Sequence, residues 1–547
     1  MRGKWSLAVI ALLTAGLAAQ QPAIPPVFRS ATRLIQINVV VHDRQGQPIT
    51  GLHKEDFTLL ERGKPQQIAF FSMDSASGTP APPPTPLPAD IFTNSLAARG
   101  GVPTGTTIIL LDLVNTAWTD QHYARDGLLK FLKQIEPQDR IAIFALGRRG
   151  LTLLHDYTSD ASSLVERLQG EKGELSAALD ASTLDAGSQQ ELRDMGLDGL
   201  ADSNEKEADF FATDRVVNTL ASFEAIAQHL TGLPGRKSLI WLSGGIPLTI
   251  GYDEMPEVGA AFSTRDRRVF SVEMEAAVRA LNNSGIAVYP VDARGLMTPP
   301  GFSASSRAPL RNPPTLAKQN ANVDTMQELA QRTGGRAAYN TNDLGRAIRR
   351  AVDDGRVTYT LGYYSSDDTQ DGKFRDVKVS VDRPRLDVRF RKGYFAPRPI
   401  AQTAEARKRE MRAAVWSPLE STAIPVGARV DFIDESQHTV NVFIQLDPST
   451  IGFTHEGDRW KAAIDIAYVQ KDEHGRLKGD GEVDNLSLAL TEENYRRVMQ
   501  QGMMIQQHRS PRAPGAATFR IVVRDAGTGS VGSVTVPFEK VPTAQRQ

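Results

Sequence analysis

Four short runs of apolar residues organise the middle of the chain. Each run lacks polar alternation, which is typical of a strand buried on both faces of a parallel sheet. Stretches with apolar residues at helical spacing separate the runs, and one of them stops at Gly232 with Pro234 beyond. This alternation predicts right-handed βαβ crossovers and a doubly wound parallel sheet over residues 104–355. The four predicted strands are 107–113, 141–146, 238–242 and 286–291.

The segments on either side alternate apolar and polar residues with the period of two that is typical of strands. Residues 21–74 are too few for a complete sandwich, so we expect them to pair with strands in 356–395, within a β segment at 356–400. Residues 421–540 contain strand candidates separated by Gly and Asp turns, which predicts an antiparallel β-sandwich. The expected fold class is multidomain α/β plus all-β, in which a doubly wound parallel sheet is flanked by antiparallel β-sandwich modules.

Two linkers and two insertions complete the predicted organisation. Residues 75–103 are proline-rich and predict an extended spacer, and residues 401–420 are charged and alanine-rich and predict a short helical linker. The insertion at 171–209 contains eleven acidic and three basic residues, and the insertion at 294–319 is rich in Pro, Ser and Gly. Both insertions lie where they could overhang the carboxyl edge of the sheet, although tolerated surface loops are the usual explanation for such segments.

Composition excludes several classes of function. The 63 basic and 64 acidic residues nearly cancel, so no net charge favours binding to nucleic acid. The chain has no cysteine, which excludes disulfides, thiolate metal sites and cysteine nucleophiles. His-Glu-x-x-His, Gly-x-Ser-x-Gly and Walker A motifs are all absent from the sequence, which therefore favours binding over catalysis.

The first twenty residues resemble a secretory signal peptide. Arg2 and Lys4 precede an apolar stretch at 7–17, and small residues follow at 18–19. The apolar stretch is shorter than the roughly 18 residues that a membrane-spanning helix needs. We therefore expect a mature chain without a transmembrane span that is secreted, periplasmic or associated with the cell envelope. An uncleaved N-terminal anchor is the alternative.

Asp112 is the strongest candidate for a functional side chain. It ends the first predicted buried strand, and ligands of open α/β sheets bind outside the carboxyl ends of such strands. Asn115 and Thr116 follow it directly. The alternative is structural: Asp112 caps the neighbouring helix start and hydrogen-bonds Thr116.

Four segments carry a resemblance to a known family. On these segments, residues 104–355 resemble a von Willebrand factor type A domain, and the whole chain resembles secreted bacterial proteins described as von Willebrand A-related. The segments are IILLDLVNT at 108–116, GRKSLIWLSGG at 235–245, VYPVDARGL at 288–296 and YTLGYY at 359–364.

The resemblance implies a metal-ion-dependent adhesion site, which departs here from the family pattern. The family uses Asp-x-Ser-x-Ser, then a loop Thr, then an Asp after the fourth strand, and these oxygens suit Mg²⁺. Asp112 and Thr116 match the first and last positions of that motif, and Thr213, expected at a helix start, matches the loop threonine. Val114 and Ser243 replace the other two ligands. The resemblance therefore implies a site that binds Mg²⁺, Mn²⁺ or Ca²⁺ weakly or not at all, to which Asn115 could add its amide oxygen.

The sequence as a whole predicts a binding or adhesion protein rather than an enzyme. The resemblance implies recognition of a protein or cell-surface ligand at the carboxyl edge of the sheet, and the identity of that partner stays open. Two alternatives remain: a structural envelope component without metal binding, and a metal-dependent hydrolase that uses Asp112 and Asp292. The predicted ligand-binding residues are Asp112, Asn115, Thr116, Thr213 and Ser243.

Overall fold

The computed structural model defines three modules. The predicted signal peptide, much of the proline-rich linker and the centre of the 294–319 insertion lie outside the residues that the structure describes. Among the described residues, no helix is both long enough and apolar enough to cross a membrane. The described residues are 34–75, 88, 90–95, 105–171, 173–182, 186–233, 235–250, 268–296, 314–367, 369, 371–396, 403–433 and 438–542.

The helices and strands are numbered here in chain order. The N-terminal part contains β1 (Leu34–His42), β2 (Phe57–Glu61), β3 (Lys64–Pro65), β4 (Ile68–Ser75) and β5 (Ile91–Thr93). The sheet module contains β6 (Thr106–Asp112), α1 (Trp118–Leu132), β7 (Arg140–Gly147), β8 (Gly150–Thr158), α2 (Ala161–Gly170), α3 (Ala177–Ala181), α4 (Ala186–Asp194), α5 (Asp198–Leu230), β9 (Lys237–Ser243), β10 (Thr249–Ile250), β11 (Arg268–Val269), α6 (Ser271–Asn283), β12 (Ile286–Asp292), α7 (Pro314–Thr333) and α8 (Leu344–Asp353). The remaining elements are β13 (Val357–Tyr364), β14 (Phe374–Val381), β15 (Asp387–Phe390), β16 (Gly393–Phe395), α9 (Ala404–Trp416), β17 (Val426–Phe432), β18 (Thr439–Leu446), β19 (Thr454–Glu456), β20 (Arg459–Lys471), β21 (Leu477–Leu490), α10 (Glu492–Gln501), β22 (Met503–Pro511), β23 (Thr518–Asp525) and β24 (Val531–Pro537).

The sheet module is built on five strands in the order β12-β9-β6-β7-β8. The first four strands are parallel, and every residue of β6, β9 and β12 is buried. One face packs on α5, α6 and α7, and the other packs on α1, α2 and α8. The prediction of a purely parallel sheet is wrong at one edge, because β8 runs antiparallel to β7. Only a tight turn joins these two strands, and a parallel pair would need a long crossover.

The first and third β segments form one sandwich, which we call the N-terminal sandwich. One sheet has the order β15-β1-β13-β4 and the other has the order β16-β14-β2-β3. β1 pairs antiparallel with β13, so that Asn38 lies opposite Thr360. The core between the sheets includes Ile37, Leu59 and Tyr359. The sheet module thus lies between two halves of this sandwich in the sequence.

The C-terminal sandwich also takes in residues that the sequence predicts as linkers. Its sheets have the orders β22-β18-β17-β5 and β19-β20-β23-β24, with β21 paired to β20. The edge strand β5 comes from residues 75–103, and Asn94 just after it donates to the carbonyls of Ser421 and Ile424. Helix α9, from residues 401–420, packs its Ala414 and Val415 against β20 and β23. The sheet module contacts this sandwich at the end of α5, where Gly232 N–H donates to Thr422 Oγ1 and Thr422 N–H donates to the carbonyl of Gln228.

Candidate functional site

Asp112 lies at the carboxyl end of the central strand, as the sequence predicts. We call the loops that follow β6, β9 and β12 at this end, residues 113–117, 244–246 and 293–296, together with Trp118 at the start of α1, the carboxyl rim. β6 pairs with β7 on one side and β9 on the other, which brings Asp112 beside the end of β9. Asp112 is nevertheless fully buried, with 1% of its surface exposed. The carboxylate therefore lies beneath the rim rather than on it.

Five hydrogen bonds converge on the Asp112 carboxylate. Oδ1 accepts from the backbone N–H of Asn115 and from its Nδ2, both at 3.0 Å. Oδ2 accepts from Asn115 Nδ2 at 2.8 Å, Trp241 Nε1 at 2.9 Å and Ser243 Oγ at 2.8 Å. Hydrogen bonds of this kind favour the ionised form of a carboxylate, whereas burial disfavours it. Trp241 was not anticipated from the sequence, because its apolar neighbours in β9 identify it only as a core residue.

Asn115 connects this carboxylate to a buried arginine. Its Oδ1 accepts from Arg215 Nη1 at 2.7 Å, and its Nδ2 also donates to Thr219 Oγ1 at 2.7 Å. The expectation that the amide oxygen of Asn115 faces a metal is wrong, because this oxygen faces Arg215 and the amide nitrogen faces Asp112. Sequence reasoning missed Arg215 and Thr219. Their spacing of four residues on the buried stripe of α5 was the available signal.

Thr116 and Ser243 join the two rim loops. Thr116 Oγ1 accepts from the backbone N–H of Gly244 at 3.1 Å, and Ser243 Oγ accepts from that of Gly245 at 2.9 Å. The structural alternative for Asp112 is wrong in its detail, because Asp112 bonds Asn115 and Ser243, and Thr116 bonds Gly244. Ala117 is the N-cap of helix α1, and it supplies no side-chain hydrogen bond to the helix start.

Thr213 does not lie at a helix start. Helix α5 begins at Asp198 inside the acidic insertion and runs to Leu230, so Thr213 lies in its interior. The apolar residues of the insertion do not recur at helical spacing, so the pattern does not predict this early helix start. Thr219, one and a half turns further on, supplies the hydroxyl group that contacts the Asp112 cluster. The structure therefore brings together Asp112, Asn115, Thr116 and Ser243, and places Thr219 with them.

Burial and the neighbouring charges determine the electrostatics of this cluster. Burial raises the pKa of Asp112, and the hydrogen bonds from Asn115, Ser243 and Trp241 oppose that rise. Burial lowers the pKa of Arg215 to about 10, and the attraction of Asp112 opposes that fall. Arg215 therefore keeps its positive charge at neutral pH. The cluster is a buried aspartate and a buried arginine, linked through Asn115.

The predicted metal ligands, as the structure arranges them, do not fit a divalent cation. Mg²⁺ needs open oxygen lone pairs in near-octahedral geometry. Both oxygens of Asp112 already accept N–H or O–H donors, and an N–H of Asn115 occupies the approach to them. Val114, at the middle position of the family motif, packs against the apolar core. Arg215 supplies the positive charge that a metal ion would otherwise bring.

Asp292, the second carboxylate of the hydrolase alternative, is also neutralised within the chain. Its Oδ1 and Oδ2 accept from Arg294 Nε and Nη2 at 2.9 and 2.8 Å. This two-point geometry is the strong form of an arginine–carboxylate pair. Neither Asp112 nor Asp292 is free to activate water or bind a metal ion.

The exposed part of the rim is apolar. Trp118 begins α1 with 40% of its surface exposed, and its ring makes an edge contact with His122 at 4.6 Å between centroids. The acidic insertion contacts the rim here: Ser176 Oγ donates to the carbonyl of Val114, and Gln121 exchanges two hydrogen bonds with the backbone of Glu174. Other insertion side chains are exposed and apolar as well. They are Leu175, Met195, Leu197 and Leu200, and Phe210 follows directly after the insertion.

Gly244 permits the close approach of the two rim loops. A Cβ atom at this position would lie 2.5 Å from the carbonyl oxygen of Asn115. We expect Gly244→Ala to lower the free energy of unfolding by about 1–3 kcal/mol, because one loop must move. Chemical denaturation measures this change. Gly199→Ala, in α5 with no atom within 4 Å of the new Cβ, is the control and should be neutral or stabilising. Equal effects of the two changes would contradict the close approach.

Comparison with known proteins bears on the fold alone. No family model and no curated protein matches this chain. Among solved structures, it is similar to an aerotolerance-related membrane protein from Bacteroides fragilis NCTC 9343, at 15% identity and TM-score 0.25, covering 45% of this chain and 98% of that one. It is also similar to BatB from Bacteroides thetaiotaomicron (13%, TM-score 0.24, 46% and 98% covered) and to the SpRpn10 VWA domain (8%, TM-score 0.22, 45% and 95% covered).

The predicted von Willebrand A-like domain is confirmed as a fold. This assignment rests on the strand order of the sheet module and on the helices that cover both of its faces. At these identities and TM-scores, nothing about a ligand or partner follows from the matches.

Proposed function

We propose that this protein binds another protein or a cell-surface ligand at its carboxyl rim, without a metal ion. One observation carries the proposal: the Asp112 carboxylate is buried and fully hydrogen-bonded, while the rim above it exposes Trp118. The polar groups of the Asp112 cluster thereby lie in the interior, where they hold the rim loops in place. The surface that remains is suited to contact rather than to catalysis.

The rim has the composition of a binding surface. Exposed tryptophans are enriched among the residues that contribute most to protein interfaces. The insertion adds exposed apolar residues and eight more acidic than basic side chains, eleven against three. We propose that the partner meets an apolar centre with an acidic surround, which favours a complementary basic partner. The predicted signal peptide supports a site of action that is secreted, periplasmic or in the cell envelope.

Photo-crosslinking tests the proposal directly. A benzophenone amino acid at position 118 should give a discrete crosslinked species in the cells that make the protein, and EDTA should leave its yield unchanged. The same substitution at Trp416, which is 50% exposed on α9, is the matched control and should give none. With the captured partner purified, Trp118→Ala should weaken binding by about thirtyfold, or 2 kcal/mol. Equal crosslinking from both positions would contradict the proposal.

The structural alternative has one observation in its favour. The buried cluster around Asp112 and Arg215 would stabilise the sheet module whether or not anything binds above it. In that case position 118 yields no crosslink and Trp118→Ala changes nothing. A third measurement distinguishes metal binding from both of these possibilities. If the protein has a cation site, Mg²⁺ at a hundredfold excess over its Kd should raise the free energy of unfolding by about 2.7 kcal/mol.

A further inference from the structure

A second candidate site lies at the opposite end of the sheet module. A solvent-accessible cleft of about 850 Å³ lies between the N-terminal sandwich and the amino ends of β9 and β12. This volume falls in the usual range for sites that bind small molecules. The seven residues of β9 separate the cleft from Ser243 by about 20 Å. The cleft is therefore distinct from the carboxyl rim.

Uncharged polar side chains form the floor of the cleft. Asn38 of β1, Thr360 of β13 and Ser72 of β4 lie side by side across three strands, and all three line the cleft. Thr360 Oγ1 donates to Asn38 Oδ1 at 3.1 Å, which leaves the amide N–H groups of Asn38 to other acceptors. Gln36, two residues before Asn38 on the same face, adds a second amide. The floor thus presents hydrogen-bond donors and acceptors in a row.

An aromatic ring stands beside this polar row. Phe70 lines the cleft with 44% of its surface exposed. Its cross-strand neighbour is Gly362, which has no side chain, and Phe70 and Leu34 border the space above that glycine. Asp74, on the same face of β4, adds an exposed carboxylate that can accept hydrogen bonds from hydroxyl groups. An exposed ring beside amides and hydroxyls suits a ligand with both apolar C–H faces and hydroxyl edges.

The basic side chains that line the cleft are already bound to oxygen atoms of the chain. Arg391 donates to the carbonyls of Asn282 and Gln36, both at 2.8 Å. Arg236 donates to the carbonyl of Gly334 and to Tyr289 Oη. Lys237 donates to the carbonyls of Leu230 and Leu233. The described residues that line the cleft therefore offer no unpaired positive charge of the kind that recognition of a phosphate or carboxylate needs.

We propose that this cleft binds an uncharged oligosaccharide, with its hydroxyl groups on the row Asn38, Thr360 and Ser72 and one sugar ring against Phe70. Sugars are the common ligands that combine many hydroxyl donors and acceptors with an apolar ring face. The site is independent of the proposed binding at the carboxyl rim. It would let the same chain hold a glycan at one end of the sheet module and a protein at the other.

A glycan array followed by calorimetry tests this site. The full chain should bind to an array of uncharged gluco-, manno-, galacto- and N-acetylglucosamine oligosaccharides. The tetrasaccharide that binds most tightly on the array is then titrated in free form into the protein. Phe70→Ala should weaken that binding at least tenfold, about 1.4 kcal/mol. Met73→Ala is the matched control, because Met73 is 43% exposed on the same strand but does not line the cleft, and it should change nothing.

Ser72→Trp, which fills the floor, is the second variant and should abolish binding while a thermal melt shows that it is folded. Absence of binding to every glycan on the array overturns the proposal. So does binding that survives both Phe70→Ala and Ser72→Trp. Binding of an uncharged peptide such as acetylated hexaserine amide with higher affinity than any glycan also overturns it, since an extended peptide would then be the ligand. Trp118→Ala should leave glycan binding unchanged, so the outcome does not depend on the rim.

Discussion

Replacing Arg215 with methionine is expected to lower the free energy of unfolding by about 3–5 kcal/mol, because the change removes one partner of a buried charge pair. Arg215 is 6% exposed and donates to Asn115 Oδ1 at 2.7 Å. Without it, Asp112 loses the buried cation that balances its charge, and the amide oxygen of Asn115 loses its donor. Methionine fills most of the space, so the loss reports on charge rather than on a cavity. Denaturant unfolding measures the change.

The double variant with Asp112→Asn identifies the cause. Neutralising Asp112 removes the charge that Arg215 balances, so the two changes together should cost clearly less than their sum. Arg346→Met is the control, because Arg346 forms an exposed pair with Asp343 and should change stability by no more than about 1 kcal/mol. Additive effects of Arg215→Met and Asp112→Asn would show that the two side chains do not interact.

Most of the sheet module could be predicted because strands buried on both faces consist of uninterrupted apolar residues. The four buried strands were predicted to within one residue at each end, since uninterrupted apolar runs end where the strands leave the core. β8 was missed because its exposed and buried residues do not alternate regularly. The placement of Asp112 at a strand end followed from the same reasoning.

The interior of the candidate site could not be predicted, because its partners come from distant segments. Arg215 and Thr219 lie about a hundred residues from Asn115 in sequence, and their position on the apolar stripe of α5 does not indicate which strand-end residue they contact. The family resemblance directed attention to hydroxyl and carboxylate oxygens. It could not show that a guanidinium group lies where it implies a metal ion. An arginine on the apolar stripe of a helix, as Arg215 is on α5, indicates a buried acceptor or carboxylate in the neighbouring sheet.

The second large effect concerns Lys237, which opens β9 beside the cleft. Only 2% of its surface is exposed, and Nζ donates to the carbonyls of Leu230, the last residue of α5, and of Leu233 in the turn that follows. Burial lowers the pKa of Lys237 to about 7 from 10.5. Between these values the unfolded chain binds a proton that the folded chain does not, so stability rises with pH. Below pH 7 both states are protonated and the contribution is constant.

The difference in unfolding free energy between the wild type and Lys237→Met should therefore move in favour of the wild type by about 2–3 kcal/mol from pH 7 to pH 9. Titrations shared by the two proteins cancel in this difference. Lys130→Met, at an exposed position of α1, is the control and should give the same difference at both pH values. A flat difference for Lys237→Met would mean that the ammonium group reaches solvent through the cleft. Water would then replace the Leu230 and Leu233 carbonyls as the partner of the Lys237 ammonium group. The wall of the cleft would carry a free positive charge.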